Sequence, residues 1–129
     1  MVLRAGKTLF LLLLIPNILI AKPQKALKKI IFLDFYNQNA DPNYRWLETN
    51  ISENLHEMAK KKYRYIKISK EKWQQTARKL GFQPKDFINI KKLSLLGKNL
   101  GAHGIVFGHF YVNSNNQMKI SGKILSVLD

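Results

Sequence analysis

Residues 28–37 read Lys28-Lys29-Ile30-Ile31-Phe32-Leu33-Asp34-Phe35-Tyr36-Asn37. Two lysines give way to an apolar run with no polar alternation, closed by an acid. Such a run predicts a strand covered on both faces, and strands of that kind belong to sheets flanked by helices on either side. The remainder of the chain is organised around this first strand.

Downstream, Asp41 precedes Pro42, an N-cap followed by a first-turn proline, and Trp46 or Leu47, Ile51, Leu55, Met58 and Lys62 recur every three to four residues. The spacing predicts an amphipathic helix with Glu48, Ser52, Glu53 and Lys60 on its polar face. From Tyr63 to Ser69 the pattern alternates, predicting a second strand that turns Ile66 and Ile68 toward that helix and Tyr65 and Lys67 away. Ser69 then caps a short helix through Trp73, Ala77 and Leu80, ended by Gly81, and Phe82 to Lys85 is a linker. A third helix is expected from near Asp86, burying Phe87, Ile90, Leu93, Leu96 and Leu100 before Gly101 closes it. Gly104 to Val112 forms the third strand, and Asn113 to Gln117 a polar hairpin turn. In the fourth strand Met118, Ile120, Gly122 and Ile124 are expected on a buried face, against Lys119, Ser121 and Lys123 outside.

Right-handed crossovers carry the chain from the first strand outward to the second, then back past the first to the third, which puts the connecting helices on opposite sheet faces. The expectation is an α/β fold: a small mixed four-stranded sheet of order 2-1-3-4, its last strand antiparallel, with helices on both faces. Connections in such a sheet diverge at the carboxyl ends of the first and third strands. The candidate crevice there comprises Asp34, Phe35, Tyr36, Asn37, Gly108 and His109. In small domains its own loops commonly fill such a crevice.

Upstream, Arg4 and Lys7 precede Leu9 to Ala21, an apolar stretch broken by Pro16 and Asn17. It is shorter than the roughly 20 residues of a spanning helix and has the layout of a secretory signal. Residues 1–21 are therefore read as a signal peptide cleaved after Ala21, with an uncleaved membrane anchor as the alternative. Residues 22–27 form a linker, and 28–129 a single domain.

The whole chain has 129 residues, with 22 Lys and Arg against 8 Asp and Glu, a net charge of +14. Losing Arg4 and Lys7 with the leader would still leave about +12 by the same counting. The basicity belongs to the domain and suits an acidic or phosphate-rich envelope polymer. With no cysteine, disulfides, thiolate metal sites and cysteine nucleophiles are excluded by inventory.

The strings Ile30-Ile31-Phe32-Leu33-Asp34-Phe35-Tyr36-Asn37, Trp46-Leu47, Gly97-Lys98-Asn99-Leu100-Gly101-Ala102, Ile105-Val106-Phe107-Gly108 and Ile120-Ser121-Gly122-Lys123-Ile124 carry a resemblance. Together they are similar to the amino-terminal domain of TolB and to the CsgG, LpoB and FlgO type domains of bacterial envelope proteins, over nearly the whole mature chain. The resemblance implies an exported, non-catalytic partner in a periplasmic or outer-membrane assembly, with an envelope protein as its ligand and a homo-oligomer left open. His103 departs from that pattern, which has an acid or amide after Leu-Gly-Ala. Many relatives are acylated on a cysteine that this sequence does not have.

No catalytic, metal-ligating or cofactor-binding set emerges. His56 lies beside Glu53 and Glu57 on the expected polar helix face, where a solvated imidazole is the simpler reading than a metal ligand. His109 would need an oriented carboxylate or nucleophile to act in a hydrolase. Asp34, at a strand end, is expected to accept backbone bonds from its loop. The basic cluster Lys60, Lys61, Lys62 and Arg64 has a structural explanation, since cations favour a helix carboxyl end. The rival functional class is nucleic-acid binding, with Tyr63, Tyr65, Phe107 and Phe110 as stacking platforms beside basic residues. The order of elements and the leader both oppose it.

Overall fold

The computed structural model describes residues 26–128, so the leader, its cleavage site and most of the linker lie outside the described residues. β1 (Lys29–Phe32) and β2 (Tyr36–Asn37) are two segments of the expected first strand. After them come a 3-10 turn (Pro42–Tyr44), α1 (Arg45–Ala59) and β3 (Ile66–Lys67). α2 (Lys70–Lys79), a second 3-10 turn (Pro84–Ile88), α3 (Ile90–Leu100), β4 (Gly104–Val112) and β5 (Met118–Ser126) complete the order.

β1 pairs parallel with β3, Lys29 opposite Ile66, and parallel with β4, Ile31 opposite Ile105. β2 continues along the same side of β4, Tyr36 opposite His109. β5 returns antiparallel on the other side of β4, from Val112 opposite Met118 to Gly104 opposite Ser126. The rows run β3, β1 with β2, β4, β5, which is the order 2-1-3-4 read from the sequence. The first row breaks because the Phe35 amide leaves the ladder and donates to the Glu48 carbonyl of α1 at 2.9 Å. Ser52 adds a second tie, its hydroxyl donating to the Phe32 carbonyl at 3.3 Å. Ser52 is therefore buried against β1 and does not belong to the polar face assigned to it.

Two cores lie on opposite faces of the sheet. Ile31, Leu33, Ile105 and Phe107 pack under Trp73 and Ala77 of α2 and Leu93 and Leu96 of α3. Phe35 and Phe110 pack under Leu47 and Ile51 of α1, with Leu55 and Val106 at the margin. Trp46 and Met58 point outward instead, at 62% and 65% exposure.

The helix termini follow the capping chemistry of the sequence in most places. Asp41 accepts from the Asn43 amide, and Ser69 from the Lys72 amide. Gly81 and Gly101 close α2 and α3 at φ of 75° and 66°. Asp86 is a correction. Its carboxylate caps the Gln83 amide of the 3-10 turn at 2.8 Å, and Asn89 is the residue that caps α3. Ile90, expected in the core, is 48% exposed as a result.

Two strand faces also differ from expectation. Ile68 lies in the α2 and α3 core, and Tyr65 stacks on Phe32 and His56 on the α1 side, so the second strand presents its faces the other way round. In β5 the face carrying Met118, Ile120 and Ile124 is open, at 43%, 50% and 75% exposure, whereas Leu125 packs against the α2 and α3 core.

Candidate functional site

The bare face of β5 follows from helix coverage. Strands in a sheet lie about 4.8 Å apart and a helix with its side chains is about 10 Å across, so one helix covers about two strands. The first crossover supplies only α1, whereas the second supplies α2 and α3. On the α1 face an open groove of about 790 Å³ remains. Its floor is Ile30, Phe32, Val106, Gly122 and Ile124, and its walls are Leu55, Ala59, Tyr63 and Tyr65. Lys28 and Arg64 bring positive charge to it, Lys123 lines it from the β5 backbone while its side chain shares the other sheet face with its partner Phe107, and among the described residues no acid lines it. An apolar floor flanked by two cations suits a ligand that brings apolar side chains and negative charge.

One wall is built by an aromatic cluster. His56 Nδ1 and the Tyr65 hydroxyl lie 2.7 Å apart, sharing a hydrogen bond, and the hydroxyl is 3.3 Å from the His56 carbonyl. The His56 ring meets the Phe32 ring edge-on at 5.2 Å. Burial, reinforced by Lys67 and Lys60, holds the His56 pKa below its ordinary value. Burial likewise raises the Tyr65 phenol. His56 is thus part of a packed wall, in contrast to the solvated imidazole expected from its neighbours in sequence.

The expected basic patch is only partly one surface. Lys60 forms an ion pair with Glu57 at 2.6 Å, whereas Arg64 turns into the groove. Lys61 and Lys62 stand exposed in the turn after α1. Of the four aromatics weighed as stacking platforms, Phe107 and Phe110 are buried at 4% and 0% exposure, and Tyr65 is held in the wall. Tyr63 alone is exposed, at 67%.

The carboxyl-end crevice is divided by its own side chains. Phe35 and Gly108 are buried on the α1 side, and Phe35 borders a hollow shared with Asp34 and Tyr36. Asp34 pairs with Lys70 at 3.0 Å, and Lys70 also donates to Thr49 at 2.9 Å. Asp34 is thus tied to a lysine side chain, where backbone donors were expected. Tyr36 borders two small hollows of about 280 and 230 Å³, the second also lined by Asn37, Arg45 and Glu48. Asn37 is buried, its Nδ2 donating to the Asp41 carbonyl at 3.0 Å and its Oδ1 without a partner among the described residues. Burial and then Asp34 raise the Glu48 carboxyl, while Asn37, Arg45 and Lys70 pull it down. His109 is half-buried on β4 beside Tyr36, and no hydrogen bond joins it to a carboxylate or hydroxyl among the described residues. His103 closes the other end of the sheet: its Nδ1 accepts from the Lys29 amide at 3.0 Å and its amide donates to the Lys29 carbonyl at 2.8 Å.

The groove is not legible in β5 itself, because alternation shows which residues share a face and not whether a helix covers that face. One helix in the first crossover against two in the second was the available signal.

A four-row mixed sheet with one helix on one face and two on the other defines an α/β domain with a half-covered sheet. Its fold is similar to that of the LpoB C-terminal domain from Escherichia coli, with a TM-score of 0.57 and 18% identity over 88% of this chain and 82% of that one. The LpoB C-terminal domain from Salmonella enterica is also similar, with a TM-score of 0.50 and 14% identity over 86% and 91% of the two chains. An NMR structure of E. coli LpoB gives a TM-score of 0.56 and 16% identity over 79% of this chain and 50% of that longer one. At such identities the likeness is one of fold. No family model and no curated protein matches the sequence.

Proposed function

We propose that this chain is an exported, non-catalytic domain of the bacterial cell envelope that binds another envelope protein through the groove beside α1. The observation that carries the reading is the groove itself: an apolar floor left bare on one sheet face and flanked by Lys28 and Arg64, with no acid lining it among the described residues. Ile124 at 75% exposure has no packing role that would explain an isoleucine there. The leader at residues 1–21 supports export, and the sequence resemblance to LpoB-type envelope domains, together with the likeness in fold, supports a binding role. Nucleic-acid binding is the weaker reading, because two of its stacking aromatics lie in the core.

The test is affinity capture of the full chain from the envelope of the cells that make it, comparing the native sequence with Tyr63→Glu, Ile124→Glu and, on the opposite face, Gln75→Glu. A captured envelope protein should be lost with the two groove variants and kept with Gln75→Glu. Capture indifferent to the groove variants would contradict the reading.

A further inference from the structure

The free edge of the sheet beside the groove has an alternation of its own. In an antiparallel pair, opposed residues alternate between those that exchange backbone hydrogen bonds and those that do not. The Asn113 amide donates to the Gln117 carbonyl at 2.9 Å and the Val127 amide to the His103 carbonyl at 2.8 Å, which fixes the phase at both ends of the β4–β5 ladder. Lys119, Ser121, Lys123 and Leu125 therefore bond inward to β4. Met118, Ile120, Gly122, Ile124 and Ser126 direct their amides and carbonyls outward, and no described strand pairs with them.

The same outward-bonding residues carry the exposed apolar side chains Met118, Ile120 and Ile124 on the groove side. The inward-bonding ones put Lys119 and Lys123 on the opposite side, exposed and outside every ion pair among the described residues. The register runs through nine consecutive residues without a bulge. Natural edge strands are commonly short, bulged or kinked by proline, and an edge that is long and regular is a template for another strand. Lysines on it discourage a second copy, because β5 beside β5 would bring four like charges together on chains already at +14.

Resting on the proposed protein-binding role, we infer that β5 accepts an extended segment of the partner protein as a further strand, one that alternates apolar and acidic side chains. The apolar set lies beside Ile120 and Ile124 and continues the groove floor, and the acids lie beside Lys119 and Lys123. The backbone of Ile120, Gly122 and Ile124 supplies the hydrogen bonds, and the two side-chain rows supply the selection.

The probe is a ten-residue peptide of alternating valine and aspartate added to the purified full chain, with a valine–lysine peptide as control and amide hydrogen exchange read by NMR. The valine–aspartate peptide should slow exchange at Ile120, Gly122 and Ile124 at least tenfold, and the control should not. Gly122→Pro removes one outward amide without touching the β4 ladder, and Lys119→Glu with Lys123→Glu reverses the charge row. The first should abolish the protection, and the second should transfer it to the valine–lysine peptide. Three results would overturn the inference. One is no protection at millimolar valine–aspartate peptide. Another is protection confined to Phe32, Tyr63 and Val106, which would keep the groove as the binding site and remove strand addition. The third is slow exchange at the three edge amides without peptide, marking a second copy if it rises with protein concentration and residues 1–25 of the same chain if it does not. Loss of capture with Tyr63→Glu is independent of these outcomes and reports on the protein-binding role alone.

Discussion

Gly108 and Gly122 stand opposite each other across β4 and β5, and the ring of Phe35 lies against the bare backbone of both. The two positions are not equivalent. A Cβ on Gly108 would lie 2.1 Å from the Ser121 carbonyl oxygen and 2.5 Å from the Phe35 ring, whereas one on Gly122 would meet Phe35 at an ordinary 3.4 Å. Gly108→Ala is expected to destabilise the domain by more than about 3 kcal/mol, since neither backbone nor buried ring can yield. Gly122→Ala should cost less than about 1 kcal/mol. Urea denaturation of the two variants checks the contrast.

Depression of the His56 pKa has a definite sign in stability. The ordinary value is 6.5, and the folded state holds it lower, so the unfolded chain binds the proton more readily. His56 therefore contributes stability that is full above the ordinary histidine range and is lost as pH falls through the folded value. Unfolding free energy of the native chain should rise with pH on the acid side of 6.5 and level off above it, and His56→Gln should flatten that rise. Denaturant titrations at stepped pH read the difference. An unchanged slope would remove His56 as its source.

Ile105 and Ile124 occupy neighbouring strands with opposite fates, at 0% and 75% exposure. Ile105→Ala should cost about 2–5 kcal/mol, the range for a large-to-small change in a packed core. Ile124→Ala should move stability by less than about 0.5 kcal/mol. Thermal denaturation of both variants measures whether the β5 face is open as described.

Two polar ties to α1 and its neighbour should differ in weight. The buried Ser52 hydroxyl bonds the Phe32 carbonyl, so Ser52→Ala should cost about 1 kcal/mol. Lys70 and Asp34 are partly solvated, with side chains 41% and 27% exposed, and Lys70→Met should fall within about 1 kcal/mol of the native chain. Equilibrium unfolding with both variants ranks them.

The strand order was legible because it rests on local features that tertiary packing did not override. The unbroken run at Ile30 to Leu33 required cover on both faces, and Ser69, Gly81 and Gly101 marked helix ends by their own backbone chemistry. Side-chain environment was less legible. Alternation in β5 shows that Ile120 and Ile124 share a face, but whether anything covers that face depends on how many helices each crossover supplies. His56 was misplaced for a related reason: its sequence neighbours Glu53 and Glu57 are exposed, but Tyr65, nine residues on, closes over the ring. Phe107 and Phe110 lie on opposite faces of β4 and each enters a different core, which removes both from solvent. Asp86 was read as a helix start because an acid before an apolar run is the usual signal; the 3-10 turn at Pro84 intercepts it. At the carboxyl-end crevice, whose filling by its own chain is the ordinary outcome in a small domain, Phe35 is buried and Asp34 pairs with Lys70, and a hollow of about 280 Å³ remains beside Asp34, Phe35 and Tyr36.

Photocrosslinking in living cells tests the groove most directly, with a benzophenone side chain placed in turn at Tyr63, Ile124, Gln75 and Lys91 of the full chain. The account predicts that Tyr63 and Ile124 form adducts with the same envelope protein, through a segment rich in aspartate or glutamate, and that Gln75 and Lys91 do not. Adducts from Gln75 or Lys91 with none from the groove would contradict it.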